Sequence, residues 1–210
     1  MTDLTFSVSK LAKRFNRRTI FSAIEFSLSS GQSLSIVGRN GIGKSTLLKT
    51  MTGILSPTSG SVAFTVEGKD ILPTDIYKHL GFVSPYLQLY DEFSGIENLA
   101  LYCSMRNQKK SQEELELLLQ RFTLWNQRDD LVRTYSSGMK QRLKYAAALV
   151  YNPHLLVLDE PTSNLDEEGQ GLVRACIEEQ KKKGIVIIAT NNKDEFAWCD
   201  RLLDLGEGKN

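Results

Sequence analysis

Apolar residues fall into short, dense blocks along the chain, and the blocks follow two different periods. Leu4–Val8 alternates apolar and polar positions, as a half-buried strand does. Ser33–Val37, Ser61–Val66, Leu80–Val83 and Leu202–Leu205 continue the strand pattern. Leu155–Leu158 and Ile185–Ala189 are apolar throughout and rich in branched side chains, which predicts strands buried on both faces. Helical spacing appears between these blocks. Thr46–Met51 is an amphipathic run that stops at Gly53. Ser111 and Glu114 form a capping box ahead of Leu115, Leu118, Leu119 and Phe122. Met139, Leu143, Ala146, Ala147 and Val150 share one face of a helix that follows Ser136–Gly138 and ends near Asn152-Pro153. A charged helix is predicted over residues 167–183, and Asn192 is placed to cap a last one.

This order predicts an α/β protein with a mainly parallel sheet and an N-terminal antiparallel β part. From about residue 86 to 134 the strand pattern is absent, so a helical insert is expected there, inside a single domain spanning residues 1–210. No internal repeat or low-complexity linker interrupts it.

Composition acts mainly by exclusion. The chain is 41% hydrophobic and 24% charged, with a net charge of +1, so no basic excess points to nucleic acid. The first ten residues lack the layout of a signal peptide. No apolar run approaches the roughly 18 residues of a spanning helix. Three widely spaced cysteines do not suggest a disulfide framework, and with two histidines a histidine-rich metal site is excluded.

The candidate chemistry begins at Gly38–Thr46, GRNGIGKST, which follows a strand and opens a helix. Gly38, Gly41 and Gly43 permit a backbone that turns amide groups toward one anion, and the helix N-terminus adds its positive end. Asn40 and Thr46 lie in the same loop. Lys44 is placed for the β- and γ-phosphates of a nucleotide, and Ser45 is a ligand for Mg²⁺. The strand Leu155–Leu158 delivers Asp159 to its end, where it can hold the metal shell. Glu160 follows and is free to polarise a water. These two elements define a P-loop NTPase core. Ser136, Ser137 and Gly138 open a second helix, another anion-binding arrangement. One monomer cannot readily bring both helix ends to one nucleotide, so the second is expected to reach ATP on a partner subunit.

From Leu4 to Gly206 the chain resembles the ATP-binding subunits of ABC transporters, with all motifs in family order. Tyr135–Met139 stands where the family signature stands, and Ser163-Asn164-Leu165-Asp166 resembles the loop that crosses the dimer interface. Phe15 matches the aromatic on which adenine stacks. The resemblance implies two subunits that sandwich two ATP molecules head to tail and a polytopic membrane subunit docked on the helical insert. It also implies a cytoplasmic location on the inner face of the cell membrane. The compact size is similar to bacterial exporter ATPases, including the haem-exporter ATPase of cytochrome c maturation.

Two positions depart from the family. Pro85 stands where a glutamine is usual after Leu80–Val83, which stiffens that hinge. Gln88 follows nearby, either as a residue that reaches the metal or the attacking water, or as a surface residue. Asn191 takes the place of the histidine that faces the γ-phosphate. It can donate one hydrogen bond there but cannot become cationic. A catalytically weakened module, in which ATP mainly drives dimerisation beside a different active subunit, is the alternative reading.

Overall fold

The computed structural model describes residues 2–206. The chain opens with a long hairpin, β1 (Leu4–Phe15) and β2 (Arg18–Ser29), followed by β3 (Ser33–Val37) and α1 (Lys44–Met51). Then come β4 (Ser59–Val66), β5 (Lys69–Ile71), a 3-10 turn over Pro73–His79 and β6 (Leu80–Val83). Two helices, α2 (Gly95–Met105) and α3 (Gln112–Arg121), precede α4 (Ser137–Leu149). The remainder alternates: β7 (Leu155–Asp159), α5 (Glu167–Lys181), β8 (Ile185–Thr190), α6 (Lys193–Phe196) and β9 (Arg201–Asp204).

Two sheets form. One is antiparallel in the order β2-β1-β4-β5 and the other is parallel in the order β6-β7-β8-β3-β9. The parallel sheet lies between two apolar layers. Leu155, Val157, Ile185 and Ile187 pack with Phe6, Phe64 and Leu47 on one side, against β1, β4 and α1. Leu156, Leu158, Val186 and Ile188 pack on the other side with Leu99, Leu119, Leu143 and Ile177 of α2, α3, α4 and α5. Each such side chain removed from water contributes about 1.5–3 kcal/mol. Burial on both faces explains why β7 and β8 carry no polar alternation.

The predicted strands are all present, several with longer bounds. β2 is an addition to the pattern read from the chain. Its alternation is broken because the β1–β2 ladder shifts register between Val8 and Leu11, Leu11 and Lys13, and Lys13 and Arg14. Lys10 and Ala23 take up the left-handed conformation at φ 46° and 53°, as bulges require. α2 is also an addition. It begins with a capping box made by Ser94 and Glu97, the same device that Ser111 and Glu114 supply for α3.

Function-bearing loops follow from the strand order. β7, β8 and β3 are neighbours, with Asp159 paired to Ala189 and Val37 to Thr190. Their C-terminal ends therefore release Gly38, Glu160 and Asn191 side by side, the place where open α/β sheets bind ligands.

Candidate phosphate-binding cleft

A cleft of about 520 Å³ opens at these strand ends. Asn40, Gly41, Gly43, Lys44, Ser45 and Thr46 form one wall, and Asp159, Glu160, Ser163 and Asn191 form the facing one. Pro85 and Tyr86 close a side.

The loop wall depends on backbone freedom. Gly43 sits at φ 121°, and a Cβ there would lie 2.5 Å from the Ile20 side chain, so only glycine fits. Gly43 is also the N-cap of α1, and no side chain caps that helix. Its first amides and its positive dipole end therefore face the cleft. Lys44 is 5% exposed. Its ammonium donates to the Gly38 carbonyl at 2.9 Å and lies 3.3 Å from Glu160 Oε1. The cation is thus tethered by the loop it serves and held against a carboxylate.

The facing wall concentrates negative charge. Asp159 is 1% exposed, and neither carboxylate oxygen has a hydrogen-bond partner. Burial pushes its carboxyl above the ordinary range and Glu160 reinforces the shift. The Ser45 hydroxyl opposes it most, close enough to favour the ionised form without completing a well-formed hydrogen bond, and Lys44 and Lys49 act in the same sense. Two bare oxygens in a buried carboxylate beside a serine hydroxyl suit a hard divalent cation such as Mg²⁺, which takes oxygen ligands and keeps several waters. Glu160 occupies the left-handed region at φ 51°, a costly conformation for a side-chain-bearing residue. Its amide donates to the Ala189 carbonyl at 2.8 Å, which ties the turn to β8. Asn191 Nδ2 donates to Asn40 Oδ1 at 2.7 Å, across the mouth of the cleft.

The structure brings together most of the residues the motifs single out. Others stand apart. Gln88 does not line the cleft; it is exposed, and its carbonyl accepts from the Tyr102 hydroxyl at 2.7 Å. Pro85 and Tyr86 are the cleft residues of that loop, with Ser84 and Pro85 carbonyls held by Lys144 Nζ at 3.3 and 3.0 Å. Phe15, at the end of β1, is 46% exposed beneath the Lys13 ammonium and outside the cleft. Ser136 caps α4 by accepting from the Met139 amide at 3.2 Å. Ser137 and Gly138 are the first residues of α4, and Gly138 abuts the Asn164 carbonyl. Asp166 caps α5, with Oδ1 accepting from Gly169 N at 2.9 Å. Gly138 thus meets the 163–166 loop at Asn164; Ser163 of that loop lines the cleft, while Ser136, Ser137, Gly138 and Asp166 do not. Three nearby residues had no distinctive signal in the sequence: Tyr86, Glu195 and Tyr145. Glu195 in particular lies in a charged stretch that reads as a solvated face.

A second feature is a groove of about 310 Å³ beside α2, lined by Ile54, Tyr77, Leu87, Tyr102, Arg106 and Tyr151 among others. Ile54 and Tyr77 are exposed along it. Arg106 stacks on the Tyr151 ring at 4.1 Å and donates to the Leu80 carbonyl at 3.0 Å, with no carboxylate partner among the described residues. No helix among the described residues is long and apolar enough to cross a membrane.

The family described as "ABC transporter" matches residues 21–163. The chain is 32% identical over 206 residues to the uncharacterized ABC transporter ATP-binding protein YybJ of Bacillus subtilis, covering 96% of this chain and 93% of that one. It is 35% identical over 185 residues to the lantibiotic transport ATP-binding protein SrtF of Streptococcus pyogenes, covering 88% and 79%. Among solved structures, a putative ABC transporter ATP-binding protein from Pyrococcus furiosus superposes with a TM-score of 0.83 at 25% identity, covering 97% of this chain and 98% of that one.

Proposed function

This chain belongs to the ABC transporter family, and from that premise we propose that it is the Mg²⁺-ATP-binding and ATP-hydrolysing subunit of a transporter, acting as a dimer on a polytopic membrane partner. The observation that carries the reading is the meeting of Lys44 with Glu160 at 3.3 Å, beside the bare oxygens of Asp159. Phosphate oxygens compete with Glu160 for the Lys44 ammonium and for the free amides at the start of α1. That competition releases Glu160 to face a water. Ser45 and Asp159 would hold Mg²⁺, which supplies charge stabilisation on the phosphate oxygens when bound. Glu160 takes the proton as water oxygen bonds to the γ-phosphorus; the β–γ bridging bond breaks and ADP leaves with the electron pair. Ser136, Ser137 and Gly138, together with Asp166, would meet ATP held by the second subunit, and Phe15 would carry the adenine. The groove at Ile54 and Arg106 is the proposed seat of the membrane subunit: its exposed apolar side chains, and a guanidinium with no carboxylate partner among the described residues, suit an amphipathic segment that brings a carboxylate. Docking there would hold the protein on the inner face of the membrane.

The test has two parts. Lys44→Ala removes a charge-assisted contact of about 1.5–3 kcal/mol, so ATP affinity falls by more than tenfold in titration calorimetry. Glu160→Gln keeps binding, loses turnover and gives an ATP-dependent dimer in gel filtration; adding Ser136→Arg dissolves that dimer. Unchanged ATP affinity in Lys44→Ala sinks the assignment of the phosphate loop. One observation favours a second reading, a weakened module paired with a more active subunit. One of the two N–H donors of the Asn191 amide is taken by Asn40, and the neutral amide adds no positive charge to the site.

A further inference from the structure

Glu195 is buried to 1% exposure in the short helix α6, outside every residue so far given a part in the chemistry. Its Oε1 accepts from the Thr162 hydroxyl and from Asn192 Nδ2, the latter at 3.4 Å. Its Oε2 is buried with no hydrogen-bond partner. Removing a carboxylate from water in this way is costly, and a solvated face would have left it exposed.

The two donors belong to different loops. Thr162 lies two residues beyond Glu160, in the turn after β7. Asn192 follows Asn191, in the turn after β8. The Glu160 turn needs such support because its left-handed backbone at φ 51° persists only where the surroundings over-determine it. Besides its own turn bond from Ser163 N to Glu160 O and the Lys44 ion pair, it is held by neighbouring elements. Glu160 N reaches Ala189 O at 2.8 Å, the fully buried Tyr145 hydroxyl donates to Pro161 O at 2.8 Å, and Thr162 is held by Glu195. Of these last three, the Glu195 contact is the one that also reaches the loop that carries Asn191.

We propose that Glu195 is a positioning residue that sets the spacing between Glu160 and Asn191 by accepting hydrogen bonds from both of their loops. This inference rests on the reading of Glu160 as the base for ATP hydrolysis. Lys44 and the amides of α1 are anchored on β3 and do not depend on Glu195, so nucleotide binding is separable from it. A base misplaced by about an ångström costs on the order of a hundredfold in rate, while binding elsewhere in the site is unaffected.

Steady-state ATPase assays on the full chain test it, with melting temperatures measured for each protein. Glu195→Ala lowers kcat about tenfold to a hundredfold with KM for ATP within a few-fold of wild type. Glu195→Gln, whose amide oxygen still accepts, recovers most of that loss. Thr162→Val reproduces the loss, and the double variant Glu195→Ala/Thr162→Val is no slower than the slower single one. Wild-type kcat in Glu195→Ala or in Thr162→Val overturns the proposal, as does equal loss in Glu195→Gln and Glu195→Ala, which would make the charge the active property. If Glu195→Ala does not fold, slow Thr162→Val beside active Glu195→Gln supports it, and any other pattern of that pair overturns it. A wild-type protein that binds ATP without hydrolysing it removes the premise of a catalytic base, a result visible before any variant is compared.

Discussion

Asn191 shows how much chemistry turns on one side chain. It follows directly after β8 and lines the cleft with Lys44; in the proposed reaction, negative charge rises there as a γ-phosphate separates. A neutral amide already engaged with Asn40 at 2.7 Å offers less there than a histidine aimed at the phosphate. Losing one donor to developing charge costs about 2.7–4 kcal/mol, roughly 10²–10³ in rate. Binding depends on the other wall and is preserved. The expected outcome is slow basal hydrolysis that rises in Asn191→His, with ATP affinity changed by no more than a few-fold. Steady-state phosphate release from the two purified proteins measures it. A slower Asn191→His protein would mean that the site is built around asparagine and the Asn40 contact.

Elements carry their own electrostatics, and the starts of β6 and β7 hold the clearest case. His79 and His154 lie with Nδ1 atoms 3.0 Å apart and rings stacked. Such a contact requires one nitrogen to donate and the other to accept, so the pair is bonded only while one ring is neutral. Phe64 packs its ring against His79, while Lys78 and Asp75 flank it. Burial lowers the His79 pKa below 6.5, and His154 and Lys78 lower it further against a weaker opposing effect of Asp75. The folded state therefore binds fewer protons than the unfolded one just below that value. Stability is fully present above about pH 6.5 and is lost as pH falls through the window down to the folded pKa. In His79→Phe, which keeps an aromatic ring against Phe64, the melting temperature should vary less between about pH 5 and 6.5 than in wild type. Thermal melts at a series of pH values decide it; an unchanged slope would place the titration elsewhere.

At the scale of the whole molecule, the cleft and the groove have separate linings but share the course of β6. β6 runs from the groove, where Leu80 accepts from Arg106, toward Pro85 at the cleft. Lys144 of α4 holds the Ser84 and Pro85 carbonyls, so the hinge loop is tied to the helix that Ser136 caps. A partner seated on the groove therefore touches the strand that leads to the nucleotide. Ile54→Asp puts a charge into the apolar rim and should abolish co-purification with the proposed membrane partner, while ATP affinity of the isolated chain stays within a few-fold. Retained co-purification would remove the groove as the docking seat.

Strand blocks, the phosphate loop and the Asp159–Glu160 pair were legible in the sequence because each is a local pattern: period, spacing, or a glycine where φ is positive. Buried β7 and β8 read clearly since apolar burial on both faces leaves no alternation to misjudge. The Ser94–Glu97 box of α2 was as readable as that of α3, and local signals alone suffice for it. β2 was not, because bulges at Lys10 and Ala23 shift its period, and only pairing with β1 restores it. Tertiary structure alone decided which residues share the cleft. It put Tyr86 and Pro85 there and left Gln88 in solvent, since the hinge loop's path depends on Lys144 and not on any pattern within the loop. It also turned Glu195, one charge among several in its stretch, into a buried link between two loops. Chain separation explains that difference: Thr162 and Glu195 meet only because β7 and β8 are neighbours in the sheet, and strand order is a long-range property that no local period encodes.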